Sequence, residues 1–220
     1  MIITTLAYAQ RTNDIAYLSQ HYAIMKQWTG YLVQEALIPA NQLSTDDFQG
    51  TLANQTNLAL KGIIAIEAMS VIASKTGNTD DSTSYHNTAT DYINKWQRYA
   101  VVSSANPPHT NLDYQDDSSH GRRNNRALMM RLLTDIGLLY NLYGDRLLGL
   151  NLVPQSIYDM QSTFYPTVAE EYGVPLDTRN VYTKCMFDPL PSLLIFRLSL
   201  MDFKLMLIFY KRTGKCGVHP

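Results

Sequence analysis

Two adjacent acids, Asp46 and Asp47, stand in the stretch Leu43-Ser-Thr-Asp-Asp-Phe-Gln-Gly-Thr-Leu-Ala-Asn-Gln-Thr-Asn-Leu-Ala-Leu-Lys61, which runs straight into a strongly apolar segment. In a turn or an extended geometry, neighbouring carboxylates point in different directions. One can then act as a general base while the other positions a substrate or caps a helix. With Ser44 and Thr45 the same acids equally suit turns and caps alone. Asn54, Gln55 and Asn57 can bind an amide or a hydroxyl through paired donor and acceptor groups, although Asn57 also stands where a helix N-cap is wanted. Lys61 falls in the first turn of the apolar segment. It can hold a carboxylate if that turn faces a cavity, or pair with a neighbouring acid if it does not.

Two further polar groups lie in loops: His109 with Tyr114, Asp116 and Asp117, and Asp177 with Arg179, Tyr182 and Lys184. Arg179 can grip a carboxylate bidentately and Asp177 an ammonium group, or the two can form a salt bridge with each other. A metal centre finds little support, because His21, His86, His109, His120 and His219 show no ligand spacing. The acids could at best form an oxygen site for calcium. No phosphate-cradling glycine loop or Gly-x-Ser-x-Gly elbow occurs.

The elements that would position these residues read as helices. Residues 14–37 place Ile15, Leu18, Tyr22, Met25 and Leu32 on one stripe, with Asp14 as the N-cap candidate. Residues 58–74 differ, being apolar around the whole axis with only Lys61 and Glu67 charged before Lys75, which predicts burial on every side. Ser84–Ser103 returns to one stripe, Leu138–Leu150 is apolar on most faces, and 154–172 again shows one stripe. Pro154 suits a first helical turn, and Pro166 should kink or split that element. Pro107-Pro108 excludes a helix from 105–120, which reads as extended. One-sided and all-round helices in alternation predict an all-α fold, and they suit two concentric rings better than a simple bundle.

With 45% apolar residues and a formal charge of −1 over 220 residues, the chain has the composition of a soluble globular protein. Nucleic acid is not an expected partner, since basic residues cluster only at Arg122, Arg123, Arg126 and Arg131. Fifteen tyrosines with Trp28 and Trp96 read chiefly as core filling. Both cysteines, Cys185 and Cys216, lie late in the chain, so packing rather than disulfides must hold residues 1–184. No secretory signal opens the sequence.

Beyond the acid–amide stretch, Leu6-Ala-Tyr-Ala-Gln-Arg-Thr-Asn-Asp14, Pro107-Pro-His-Thr110, Leu138-Leu-Tyr-Asn-Leu-Tyr143, Leu150-Asn-Leu-Val-Pro-Gln-Ser156 and Pro175-Leu-Asp-Thr-Arg179 complete a collinear pattern. That pattern closely resembles the fungal glutaminase A family, secreted L-glutamine amidohydrolases whose central domain belongs to the six-hairpin toroid group. The resemblance implies that residues 1–184 form a partial (α/α)6 toroid of inner and outer helices, incomplete without the family's β-rich N-terminal domain and later hairpins. It implies hydrolysis of L-glutamine to L-glutamate and ammonia, with a small-molecule substrate and no cofactor. Such hydrolysis needs activated water or a nucleophile at the side-chain amide carbon, donors for the oxyanion, and an acid for departing ammonia. Asp46 and Asp47 are then the leading catalytic candidates, and Arg179 and Asp177 would meet the α-carboxylate and α-ammonium. Secretion would be directed by a signal upstream, and Asn54-Gln55-Thr56 is a glycosylation sequon consistent with that route. The alternatives are glycoside hydrolysis by paired acids, for which a second carboxylate across the cavity is needed, and an inactive gene-model fragment.

Two segments depart from the family pattern. Residues 122–137 interrupt it, and can be read as an in-frame intron or as a natural loop insertion. After Lys184 the pattern stops; codons for Cys185-Met186 can contain a splice donor, and Arg212–Pro220 can encode Asp-Trp-Glu-Met-Trp-Cys-Ala-Ser in a shifted frame. Residues 185–211 then read as translated intron and 212–220 as out-of-frame exon. A membrane span over 190–210 is disfavoured by Arg197, Asp202 and Lys204, each costing about 2.5–3.5 kcal/mol near a bilayer centre.

Overall fold

In a computed structural model, residues 1–43, 50–114, 135–170 and 173–179 are described, and they are mostly helical. Asp46 and Asp47, Tyr182 and Lys184, most of segment 122–137 and the whole tail from 185 lie outside the described residues.

Helix α1, Ile2–Thr12, was not anticipated as an element; it buries Ile2, Leu6 and Ala9 and stops at Asn13, whose left-handed φ of 57° turns the chain. Asp14 then caps α2, Ile15–Glu35, accepting a hydrogen bond from Tyr17 N at 2.9 Å. That is the expected cap, and Leu18 and Met25 of the expected stripe are buried. Between α2 and α3 runs a two-residue antiparallel ladder, β1 (Gln42–Leu43) with β2 (Thr51–Leu52), in which Gln42 pairs with Leu52 and Leu43 with Thr51.

Helix α3, Thr56–Lys75, is covered on all sides, with fourteen of its twenty residues buried. It is long and apolar enough to cross a membrane, but its apolar surface is instead taken up by α1, α2, α4 and a short later helix. At Gly62 an added Cβ would lie 2.5 Å from the Ala36 Cβ, so α2 and α3 approach at a point that only a glycine permits. Thr76-Gly77-Asn78 reverses the chain into α4, Thr79–Ala100, which packs back along α3 through Ala89, Ile93 and Trp96. The expected alternation of one-sided and all-round helices therefore holds for α2, α3 and α4.

The remainder is more extended than its apolar content suggests. Strands β3 (Val101–Val102) and β4 (His109–Thr110) pair across a loop containing a cis Asn106–Pro107 bond. The helix expected over Leu138–Leu150 is confined to α5, Leu142–Leu148, because the N–H groups before it are taken elsewhere: Leu138 N donates to Leu176 O at 2.9 Å, Leu139 N to Tyr165 Oη at 3.0 Å and Asn141 N to Asn57 Oδ1 at 3.2 Å. Helix α6, Gln155–Phe164, follows Pro154 and gives way at Pro166 to a 3-10 turn, Tyr165–Thr167, as expected for a proline that cannot continue an α-helix.

Charge is handled locally in this core. Glu67, buried within α3, accepts from His86 Nδ1, which stands 3.1 Å from each carboxylate oxygen. The outward face of α2 carries Tyr17, Ile24, Trp28 and Tyr31 on one helical ridge, between 38% and 61% exposed.

Candidate functional site

The first turn of α3 opens into a small, partly open cleft with an internal volume of about 30 Å3. Its polar lining is Gln55, Asn57, Asn111, Tyr140, Asp177 and Arg179, and its apolar walls include Leu112, Leu139 and Leu176. Three extended segments build those walls on the helix start. Thr56 N donates to Leu112 O at 3.0 Å, Leu112 N to Asp135 O at 3.1 Å, and Thr178 N to Ile136 O at 3.2 Å. Residues 135–137, at the end of the segment read as an insertion, are thus part of the wall. Trp96, fully buried, fixes the helix start from the far side by donating Nε1–H to Thr56 O at 2.9 Å.

Of the residues singled out in the sequence, the structure brings Gln55, Asn57, Asp177 and Arg179 together. Gln55 is 4% exposed and donates from Nε2 to Gln42 O at 2.8 Å and Leu52 O at 2.7 Å. Its amide therefore anchors the β1–β2 ladder, the two ends of the connection that carries Asp46 and Asp47. Asn57 does not cap α3: Gln55 occupies the N-cap position and Asn57 lies within the helix. Its side chain instead accepts from Asn141 N at 3.2 Å, while Asn141 Nδ2 donates to Asn57 O at 3.0 Å.

Asp177 is 1% exposed and takes three bonds from Arg179: the main-chain N on Oδ1 at 2.8 Å, and Nε and Nη2 on Oδ2 at 3.0 and 2.6 Å. Of the two roles open to this pair, the structure shows the salt bridge. The consequence for the cleft is positional: a buried carboxylate holds a guanidinium with other N–H donors to spare at a partly open edge.

Asn54, Lys61 and His109 stand outside the lining. Asn54 sits in a left-handed turn with φ 55°, its N–H on Pro39 O and its carbonyl accepting from Tyr114 N. Burial, and after it the Lys61 charge, lowers the Met1 amine, and burial lowers the Lys61 amine below its usual range. His109 is 2% exposed, stacked on Phe164 with centroids 4.2 Å apart, its Nδ1 at 3.2 Å from Pro107 O. Among the described residues no cluster of three His, Cys, Asp or Glu could hold a metal ion.

Sequence reasoning missed Asn111, Tyr140 and Asn141. The last two lie in the Leu138–Tyr143 stretch, but an expected continuous helix hid their separate roles. It also missed the support behind the wall: Tyr165 Oη accepts from Leu139 N at 3.0 Å, and Gln161 Nε2 bridges to Thr110 Oγ1 at 2.6 Å and Tyr165 Oη at 3.3 Å. Burial raises the Tyr165 phenol well above its usual range, so it serves as a neutral hydrogen-bonding post.

Residues 1–192 match the model of the glutaminase A six helical-hairpin domain. The chain is 59% identical over 184 residues to glutaminase A of Aspergillus oryzae, covering 84% of this chain and 24% of the relative. It is 36% identical over 195 residues to a probable glutaminase of Arthroderma benhamiae, covering 76% of this chain and 20% of the relative. The chain thus spans a quarter or less of the length of these relatives. No solved structure matches.

Proposed function

Since the chain belongs to the glutaminase A six helical-hairpin family, we propose that its cleft forms one wall of a site hydrolysing L-glutamine to L-glutamate and ammonia. The observation that carries this reading is the convergence of the Asp177-held Arg179 guanidinium and the Asn57 amide on one small cleft. A guanidinium at the open edge suits the α-carboxylate, and an amide suits the substrate carboxamide. Water then adds to the side-chain carbonyl carbon, the C–N bond breaks, and the nitrogen leaves as ammonia once it has taken a proton. Asp46 and Asp47, in the connection between the Gln55-anchored strands, are proposed as the acids that move these protons.

In this proposal the intact polypeptide is secreted, works without a cofactor and needs its other domains. The 220-residue chain alone binds L-glutamine but turns it over poorly. Ammonia release from L-glutamine, compared with hydrolysis of a panel of glycosides, tests the reading in the chain and in a form extended to the length of its relatives. Glutamine hydrolysis in the extended form is the expected result. Cleavage of glycosides in place of glutamine would overturn it in favour of the paired-acid alternative.

A further inference from the structure

Asn57 and Asn141 hold each other through two main-chain groups whose roles cannot be exchanged. A backbone N–H only donates, so the Asn57 atom facing Asn141 N at 3.2 Å is its carbonyl oxygen Oδ1. A backbone carbonyl only accepts, so the Asn141 atom facing Asn57 O at 3.0 Å is its Nδ2. Both amide orientations are therefore fixed by the main chain rather than left to rotate.

The consequence falls on the cleft that Asn57 lines. With Oδ1 committed to Asn141, the end of the amide turned away from Asn141 is Nδ2, which can only donate. Asn57 has then lost the ambiguity that makes asparagine a tolerant binder: a ligand group meeting it there must be an acceptor oxygen. In L-glutamine two groups carry such oxygens. The carboxylate is matched by the partly open guanidinium of Arg179, which leaves the carboxamide oxygen for Asn57. That oxygen gains negative charge when water adds to the amide carbon, so a preset donor is worth more in the transition state than in the ground state.

We propose that Asn141 is a positioning residue that fixes the polarity of Asn57, and that Asn57 Nδ2 donates to the side-chain carboxamide oxygen of glutamine. This rests on the glutaminase reading above, and the test separates the two. Asn57→Asp is isosteric, still offers an oxygen to Asn141 N, and replaces the donor with an acceptor. In the 220-residue chain, L-glutamine affinity by calorimetric titration should fall at least tenfold in this variant with the thermal midpoint little changed. Asn141→Asp removes the donor to Asn57 O and should weaken binding about threefold, although Asn141 itself touches no ligand. In the wild type, the Asn57 side-chain 15N–1H2 resonances should shift on adding L-glutamine, a signature that a purely structural pair would not give.

Affinity within twofold of wild type in Asn57→Asp would overturn the inference and leave the glutaminase reading standing. Unmoved Asn57 side-chain resonances in a wild type that binds glutamine would do the same, even if the variant did not fold. No binding of L-glutamine by the wild type would overturn the reading and the inference together.

Discussion

Gln55 is bonded to Gln42 from a single nitrogen, Nε2, at 2.8 Å from the Gln42 carbonyl, and that same nitrogen reaches the carbonyl of Leu52, the partner of Gln42 across the β1–β2 ladder. One buried amide thus spans both strands. Gln55→Glu keeps the shape, removes the donors and faces a carboxylate with two carbonyl oxygens. It should destabilise the chain by about 1–3 kcal/mol in urea titration at neutral pH. Part of the loss should return in acid, where a protonated Glu regains one donor.

Gly62 and Ala36 set a second test. Gly62→Ala would bring two Cβ atoms to 2.5 Å, and neither can swing away without moving a helix. The helix-propensity gain is about 1 kcal/mol and overpacking costs about 1–3 kcal/mol. Net destabilisation in a urea melt is expected, and Ala36→Gly in the same chain should recover most of it. No recovery would mean that the cost arises within α3.

Trp96 fills the core and donates to Thr56 O at the start of α3. Trp96→Phe removes the indole donor, leaving that carbonyl its bond within α3, and opens space beside it. A loss of about 0.5–1.5 kcal/mol is expected from the hydrogen bond alone, with more from the vacated volume. Thermal unfolding followed by circular dichroism would measure it.

The Glu67 carboxyl is pushed above its usual range by burial, with His86 pulling it down and Asp145 adding to the rise. A folded-state value above the unfolded 4.5 means that the native chain binds this proton more tightly than the unfolded one. The stability it contributes is fully present below pH 4.5 and is lost as pH rises through the raised value. Glu67→Gln lacks this titration. The variant should therefore gain on wild type as pH is raised from 4 to 7, read as the difference between their urea midpoints; a difference that stays flat would refute the assignment.

Legibility of the fold in the sequence followed periodicity. The contrast between one stripe on α2 and full burial of α3 could be read because 3.6-residue spacing records which faces meet water, and Asp14 could be read because an N-cap is a local act. The Leu138–Asn141 stretch misled because its apolar residues register contact with the interior, and an irregular wall segment makes such contacts as a helix does. Of the site, Gln55 and Asn57 were visible as amides before an apolar helix, and Asp177 and Arg179 as a charged pair in a loop. That Asn57 sits inside α3 rather than capping it, and that Asn141 holds it from 84 residues away, are facts of tertiary packing with no local signal. His109 differs in the opposite way: the sequence grouped it with Tyr114 and two acids as a polar loop, and its ring is stacked in the interior on Phe164.

The ridge of Tyr17, Ile24, Trp28 and Tyr31 sits on α2, whereas the cleft lies at the start of α3. Handling properties and chemistry are consequently separable in this molecule. Lysine or glutamate written into those four ridge positions should raise the yield of well-behaved polypeptide from an expression host. The same exchange would leave untouched every described residue that lines the cleft.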